Sequence, residues 1–232
     1  MSINPSLPWT YDLDQAMQVQ RNLSKRVALT WDNRQVQTVA GIDVSSSGSV
    51  IRAAVSVVCF PELTRVTTVI GEAPQGFPYI PTLLAFQVGP AILDAWEKLK
   101  QTPDLVMIHG HGIAHPRGFG LASHIGVWLN IPTIGVAKTH LYGKYAEVDS
   151  RAGDWSEIHD EHNHRRVIGA ALRTQAEVKP VYVSPGHLID LPHCIDYVLA
   201  CRRRYRMPEP LRLAHEAATG LSPHTEKESQ VA

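Results

Sequence analysis

Three histidines crowd the stretch DLVMIHGHGIAHPRG, residues 104–118, where an apolar run meets a series of glycines. His109 and His111 stand two apart, the spacing that puts both on one face of a strand, and His115 follows as a third nitrogen donor. Such a set suits Zn2+, which takes imidazole readily, and a zinc-dependent hydrolase acting on a small molecule is one chemistry it would support. The glycines support another reading, because they let a backbone come close to a ligand and so build a recognition loop.

Other residues offer chemistry of their own. Asp43 closes the apolar run AGID, where a carboxylate serves either as a metal or acid–base group or as a turn former bonding the backbone of VSSSG. In GFPYIP two prolines bracket Tyr79 and stiffen the chain, so the ring is either held outward as a wedge between bases or packed on the core. Lys138 follows PTIGVA, where an ammonium can stabilise charge developing on a phosphate or simply be solvated. The turn in VSPGH, ending at His187, has amides that could meet a phosphate. CRRRYR, residues 201–206, suits a helix C-terminus and could also grip a nucleic-acid backbone. His159, His162 and His164 sit in an acidic polar segment and read as a solvated surface.

Groups like these need a sheet to hold them. The pattern predicts an amphipathic helix within residues 11–29, then strands at 36–44, 50–60 and 65–73 separated by turn-rich stretches, an antiparallel meander. A helical segment follows over 81–101, with a break or fresh start expected near Gly89-Pro90. Short apolar strands at 104–110 and 132–138 flank a helix-like 119–130, which implies parallel pairing with a right-handed crossover. Residues 143–166 read as an exposed excursion, 179–187 as another strand, and 192–204 and 211–219 as helices. The fold class is α/β, a mixed sheet flanked by helices in a single domain over residues 1–220, with a polar, disordered tail at 221–232.

Lys and Arg, 22 together, balance 22 Asp and Glu, so no global charge advertises a polyanion partner, though a local basic surface would suffice for one. Three cysteines without paired spacing point to a reducing cytoplasm, and no leader or membrane-spanning run is apparent. A zinc-hydrolase motif of the metallo-β-lactamase type would carry an Asp beside its last histidine, where Ala114 stands here.

Taken together, GIDV, FPYIP with LLAF, PDLV, GHGIAHPRGFGLASHIGV, PTIGVAK, VKPVYVSPGH, YRMPEP and RLAHEA occur in an order that resembles the endonuclease V family, the repair nucleases acting at deoxyinosine. The resemblance runs from about residue 11 to residue 219. It implies an RNase H-like fold, a cytoplasmic monomer, DNA containing deaminated bases (or RNA) as partner, and a Mg2+-dependent cut just 3′ of the lesion. It also implies Tyr79 as the wedge, a base pocket drawn from Gly110 to His115, and Lys138 and His215 near the scissile phosphate.

The family's metal site has three carboxylates, and Asp43 matches the first. Val88 stands at the glutamate position with Gln87 where an arginine is usual, and His109 replaces the aspartate. Magnesium is a hard ion that wants oxygen; valine offers no ligand, and imidazole suits Mn2+ or Zn2+ better. Three readings therefore stand beside one another: a weakened nuclease, a site repurposed so that Asp43 and His109 hold a transition metal, and a lesion-binding protein that does not cut. The small-molecule hydrolase using His109, His111 and His115 remains as a separate class.

Overall fold

In the computed structural model, which describes residues 10 and 12–220, the first long strand takes the centre of the molecule. Strand β1 (Thr38–Ser47) pairs antiparallel with β2 (Val50–Cys59) on one side and parallel with β4 (Leu105–His109) on the other. Strand β3 (Arg65–Pro74) completes the meander. Beyond β4 come β5 (Thr133–Ala137), β8 (Val181–His187), β7 (Val167–Leu172) and β6 (Trp155–His159), giving one eight-stranded sheet in the order β3-β2-β1-β4-β5-β8-β7-β6.

The period of two along β1 and β4 sorts side chains onto two cores. Ala40, Ile42, Val106 and Ile108 face helices α1 (Leu13–Ser24), α2 (Leu84–Glu97) and α3 (Leu121–Leu129). Val39, Leu105 and Met107 face the other layer, built from α4 (Leu191–Ala200) and α5 (Glu209–Thr219). Gly41 shares that second face, and a β-carbon there would stand 2.1 Å from the Pro210 carbonyl oxygen, so α5 lies almost directly on the β1 backbone.

Two expectations need correction. The break at Gly89-Pro90 does not occur: α2 runs through Pro90 without interruption. An internal proline costs about 3 kcal/mol, which burial of Phe86, Val88, Ala91, Ile92, Ala95 and Trp96 along the same helix offsets. Residues 143–166 are not wholly an excursion either, since Trp155–His159 forms β6 and pairs with β7. Exposed Trp155 and Glu157 hid that edge strand's alternation. The tail expected at 221–232 lies outside the described residues. No helix among those described is long and apolar enough to cross a membrane.

Candidate nucleic-acid cleft

The register of β1 and β4 positions the central group. Ile42 pairs with Ile108, so Asp43 and His109 come side by side one step further, His109 as the last residue of β4 and Asp43 in the middle of the longer β1. The carboxyl end of a parallel strand such as β4 is where ligands of open α/β sheets bind. Both side chains share the parity of Gly41 and Met107 and so point toward α5, which brings His215 over them. His109 Nδ1 donates to one carboxylate oxygen of Asp43 at 2.9 Å, and His215 Nδ1 donates to the other at 2.7 Å. An ionised carboxylate only accepts, so each imidazole spends its Nδ1 proton on Asp43 and keeps Nε2 for something else. The Val44 amide adds a third bond at 2.8 Å. Burial alone would raise the Asp43 pKa, but the bonds from His109 and His215 outweigh it and hold the carboxyl well below its usual range.

Asp43 is thus in mid-strand, and the turn-forming alternative fails. A cleft of about 450 Å³ opens over this corner, lined by Asp43, His109, Val88, Gln87, Lys138 and Tyr79 among others. Val88 is 2% exposed and presents methyl groups where a ligand oxygen would be needed. Lys138 stands just past the end of β5, on the wall facing Asp43. Tyr79 is 67% exposed at the rim, which rules out packing on the core. No neighbouring acid substitutes for the missing ones: Asp94 accepts from Lys98 and the Glu72 amide, and Glu72 pairs with Arg52.

The site therefore does not fit Mg2+. Both oxygens of Asp43 are engaged, the neighbouring Val88 and His109 offer an apolar group and an imidazole, and no group of three donors able to hold a metal occurs among the described residues. The His109–His111–His115 zinc set fails for a different reason. His115 Nδ1 accepts from the Arg117 amide at 3.1 Å while Nε2 donates to the Thr82 carbonyl at 3.0 Å, leaving no nitrogen for a metal. Burial pushes His115 down to about 3 and His111 down to about 4, so both rings are neutral.

The loop carrying Gly110 and His115 is held from below by backbone. The Ile113 amide donates to the Pro185 carbonyl, the Gly112 amide donates to Ser184 Oγ, and the Ala122 amide donates to the His111 carbonyl. A β-carbon on Gly112 would meet the Pro185 oxygen at 2.0 Å, so only glycine allows this approach. Gly110, His111 and His115 line a small cavity of about 40 Å³ beside the cleft, with Gln20 and Leu141 on its other walls. That is little more than the room one water molecule takes up in the liquid, so the cavity must widen before it can admit a base.

Some residues were not singled out from the sequence. Gln20 donates from Nε2 to the Thr82 and Phe119 carbonyls and accepts from Arg117 Nε at 2.6 Å, tying α1 to the loop. Its signal was available, a polar residue on the apolar stripe of Ala16, Val19 and Leu23. Other expectations do not hold. VSPGH is strand, not a phosphate nest: His187 is buried and accepts from the Ala28 amide. Within CRRRYR, Arg202, Arg203 and Arg206 donate to carbonyls of Thr174, Glu62, Leu63, Lys138 and Pro180, so these guanidiniums staple loops. His159, His162 and His164 lie on or near the surface as expected, with His159 beside Glu157.

A carboxylate beside the carboxyl end of a parallel strand, an exposed tyrosine and a glycine-rich loop surround one cleft on a mixed sheet of the RNase H-like class. The chain belongs to the Endonuclease V family, whose pattern matches residues 21–216. It is 47% identical to the endonuclease V of Trichormus variabilis, covering 94% of this chain and 99% of the relative. It is 44% identical to that of Methanothrix thermoacetophila, covering 89% and 91%. The crystal structure of endonuclease V from Streptomyces avermitilis superposes with a TM-score of 0.85 at 37% identity, over 94% of this chain and 95% of the other. An endonuclease V from Ciona intestinalis, crystallised with a 23-mer DNA containing an inosine followed by a ribo-adenosine, superposes with a TM-score of 0.76 at 25% identity over 90% and 95%.

Proposed function

We propose that this chain is a cytoplasmic, monomeric endonuclease V-type protein that recognises deoxyinosine in DNA and binds it without help from Mg2+. The observation that carries this reading is the pair of hydrogen bonds from His109 and His215 to Asp43, which fills with imidazole the place where the family reaction needs an ion. Tyr79, Gly110 and His115 supply recognition: the exposed ring stands ready to fill a gap in the base stack, and the loop backbone offers close approach. Lys138 supplies positive charge toward a phosphate in the cleft. Free cysteines at positions 59, 194 and 201 suit a reducing compartment.

Mg2+-driven cutting is expected to be absent or strongly attenuated. A repurposed site for Mn2+ or Zn2+ would need His109 to release Asp43 before its Nδ1 could turn to a metal, or to ligate through Nε2 alone. Binding of an inosine-containing duplex and a matched undamaged duplex, each with chelator, Mg2+ or Mn2+ present, tests the proposal. Inosine preference should be the same under all three conditions, with no nicked product in Mg2+. Preference that vanishes in chelator would refute it.

A further inference from the structure

A second groove, with a volume of about 440 Å³ against 450 Å³ for the cleft, lies on the far side of the recognition loop. Its walls carry Arg21 from the last turn of α1, Arg117 from the loop, and Arg166 from the turn joining β6 to β7. One carboxylate, Asp160, faces these three guanidiniums. It accepts from the His162 and Asn163 amides and from Tyr142 Oη, and reaches Arg166 only at 3.8 Å. Among the described residues, neither Arg21 nor Arg117 has a carboxylate within ion-pair distance. In a chain whose charges balance overall, this is a local excess of cations, three guanidiniums against one carboxylate.

The groove is also built. Arg117 donates Nε to Gln20 and Nη2 to the Thr82 carbonyl at 2.8 Å, so its fork is fixed in place before any ligand arrives. Gly118, at φ +60, leaves space that a β-carbon would fill to within 3.8 Å of Arg166 Nη2. Val27, Leu29, Ile113 and Pro116 give the groove an apolar floor. Burial, and then the neighbouring Arg21, lower the Arg117 pKa from its ordinary value, a like-charge crowding that an incoming anion would relieve.

We propose that this groove is a second seat for nucleic-acid backbone phosphate, outside the lesion cleft and indifferent to the lesion. Guanidinium forks match phosphate oxygens, and an apolar floor suits the sugar and base faces between them. A polynucleotide fits better than a small anion because three guanidinium charges, with the forks of the exposed Arg21 and Arg166 turned outward for contact and Arg117 held between them, line a space as large as the cleft itself. The loop from Gly110 to Gly118 contributes to both sites, so a strand leaving the cleft over the loop reaches the groove next. The inference rests on the nucleic-acid reading of the cleft but not on inosine preference.

The test compares the wild type with the double variant Arg21→Ala/Arg166→Ala, both exposed positions, in salt titrations on inosine-containing and undamaged duplexes. Each phosphate contact contributes about 0.9 to the slope of log K against log salt. The double variant should therefore show a slope shallower by about 1.8 on both duplexes, and a loss of affinity between 50 and 200 mM salt about tenfold smaller. Inosine preference should be retained, and Arg21→Lys/Arg166→Lys should restore most of the slope. An unchanged slope on both duplexes, with the fold intact by circular dichroism, would overturn the proposal. So would a thermal shift by inorganic phosphate alone that is lost in the double variant while the DNA slope stays unchanged. If the wild type shows no inosine preference, the function proposed above fails, while the slope on undamaged DNA still decides this groove.

Discussion

His109 and Gly110 are neighbours in the chain, yet they stand at the edge of two regions with different demands. On the proposed reading, the corner of Asp43, Val88 and His109 has one carboxylate where the family has three, whereas the loop from Gly110 to Gly118 carries the recognition residues Gly110 and His115. The difference follows from what each region demands physically. The loop is pressed against other backbone, with the Gly112 position 2.0 Å from a carbonyl oxygen if it carried a β-carbon, so almost any change there collides. In a corner of three carboxylates, a cation would hold the charges together. Without that ion, two carboxylates 4 Å apart repel by about 4 kcal/mol at an effective dielectric near 20. Replacing one with valine and another with an imidazole that donates to the third removes the repulsion. Metal chemistry can thus be lost while the scaffold gains rest stability and the recognition surface is untouched.

The largest effect should come from rebuilding the corner. Val88→Glu with His109→Asp is expected to raise Mg2+-dependent nicking of an inosine duplex by at least about a hundredfold over the parent, since the ion both activates water and neutralises charge. The same variant should melt lower in chelator and recover on adding Mg2+, the repulsion returning and being relieved. A double variant that binds inosine and folds but neither cuts nor responds to Mg2+ would show that these two positions are not the lost ligands.

Acid should separate the two regions next. Burial holds His115 and His124 at about 3 and His187 at about 4, all below the unfolded value near 6.5. Between those limits the unfolded chain binds more protons, so stability falls as pH drops below about 6.5, by about 1.4 kcal/mol per pH unit for each such histidine. Asp43 behaves otherwise. Its depressed value contributes stability that is complete above the unfolded carboxyl value near 3.9 and is lost only as pH falls through the lower folded one. Urea unfolding at pH 7, 6, 5 and 4 should show loss already between 6 and 5, and His124→Phe, placed among Phe86, Phe119 and Trp128, should flatten it. A flat profile down to pH 4 would break the contrast.

Tyr79→Ala gives the smallest and most selective change. Base–aromatic stacking is worth about 1–3 kcal/mol, so inosine affinity should fall by about fivefold to about 150-fold. The melting temperature should stay where it is, because the ring is 67% exposed. A loss of stability instead of affinity would mean the ring supports the rim.

Much of this architecture could be read in the chain beforehand, for reasons visible in single elements. The meander was readable because β1 to β3 alternate and are punctuated by turn residues, and the parallel pair because 104–110 and 132–138 are short apolar runs around a helix. Strand β6 was missed because an edge strand needs to bury only one side, and the continuity of α2 because packing overrode a proline. In the site, the replaced ligands were visible as residue types. What could not be read was the bond from His215 to Asp43, since nothing local ties positions 172 residues apart. The Arg groove was hidden for the same reason, three cations from three distant segments converging only in space.

That long reach has a consequence for how the protein is made. Asp43 leaves the ribosome early, while the helix that caps it, bearing His215 and resting on Gly41, is translated near the end of the described chain. Until α5 docks, a nascent chain's Asp43 lacks one of its three hydrogen-bond partners, and the part of the second sheet face at Gly41 lies uncovered. The corner therefore closes only when α5 is in place, and damage to α5 should lower the stability of the whole chain as well as its binding.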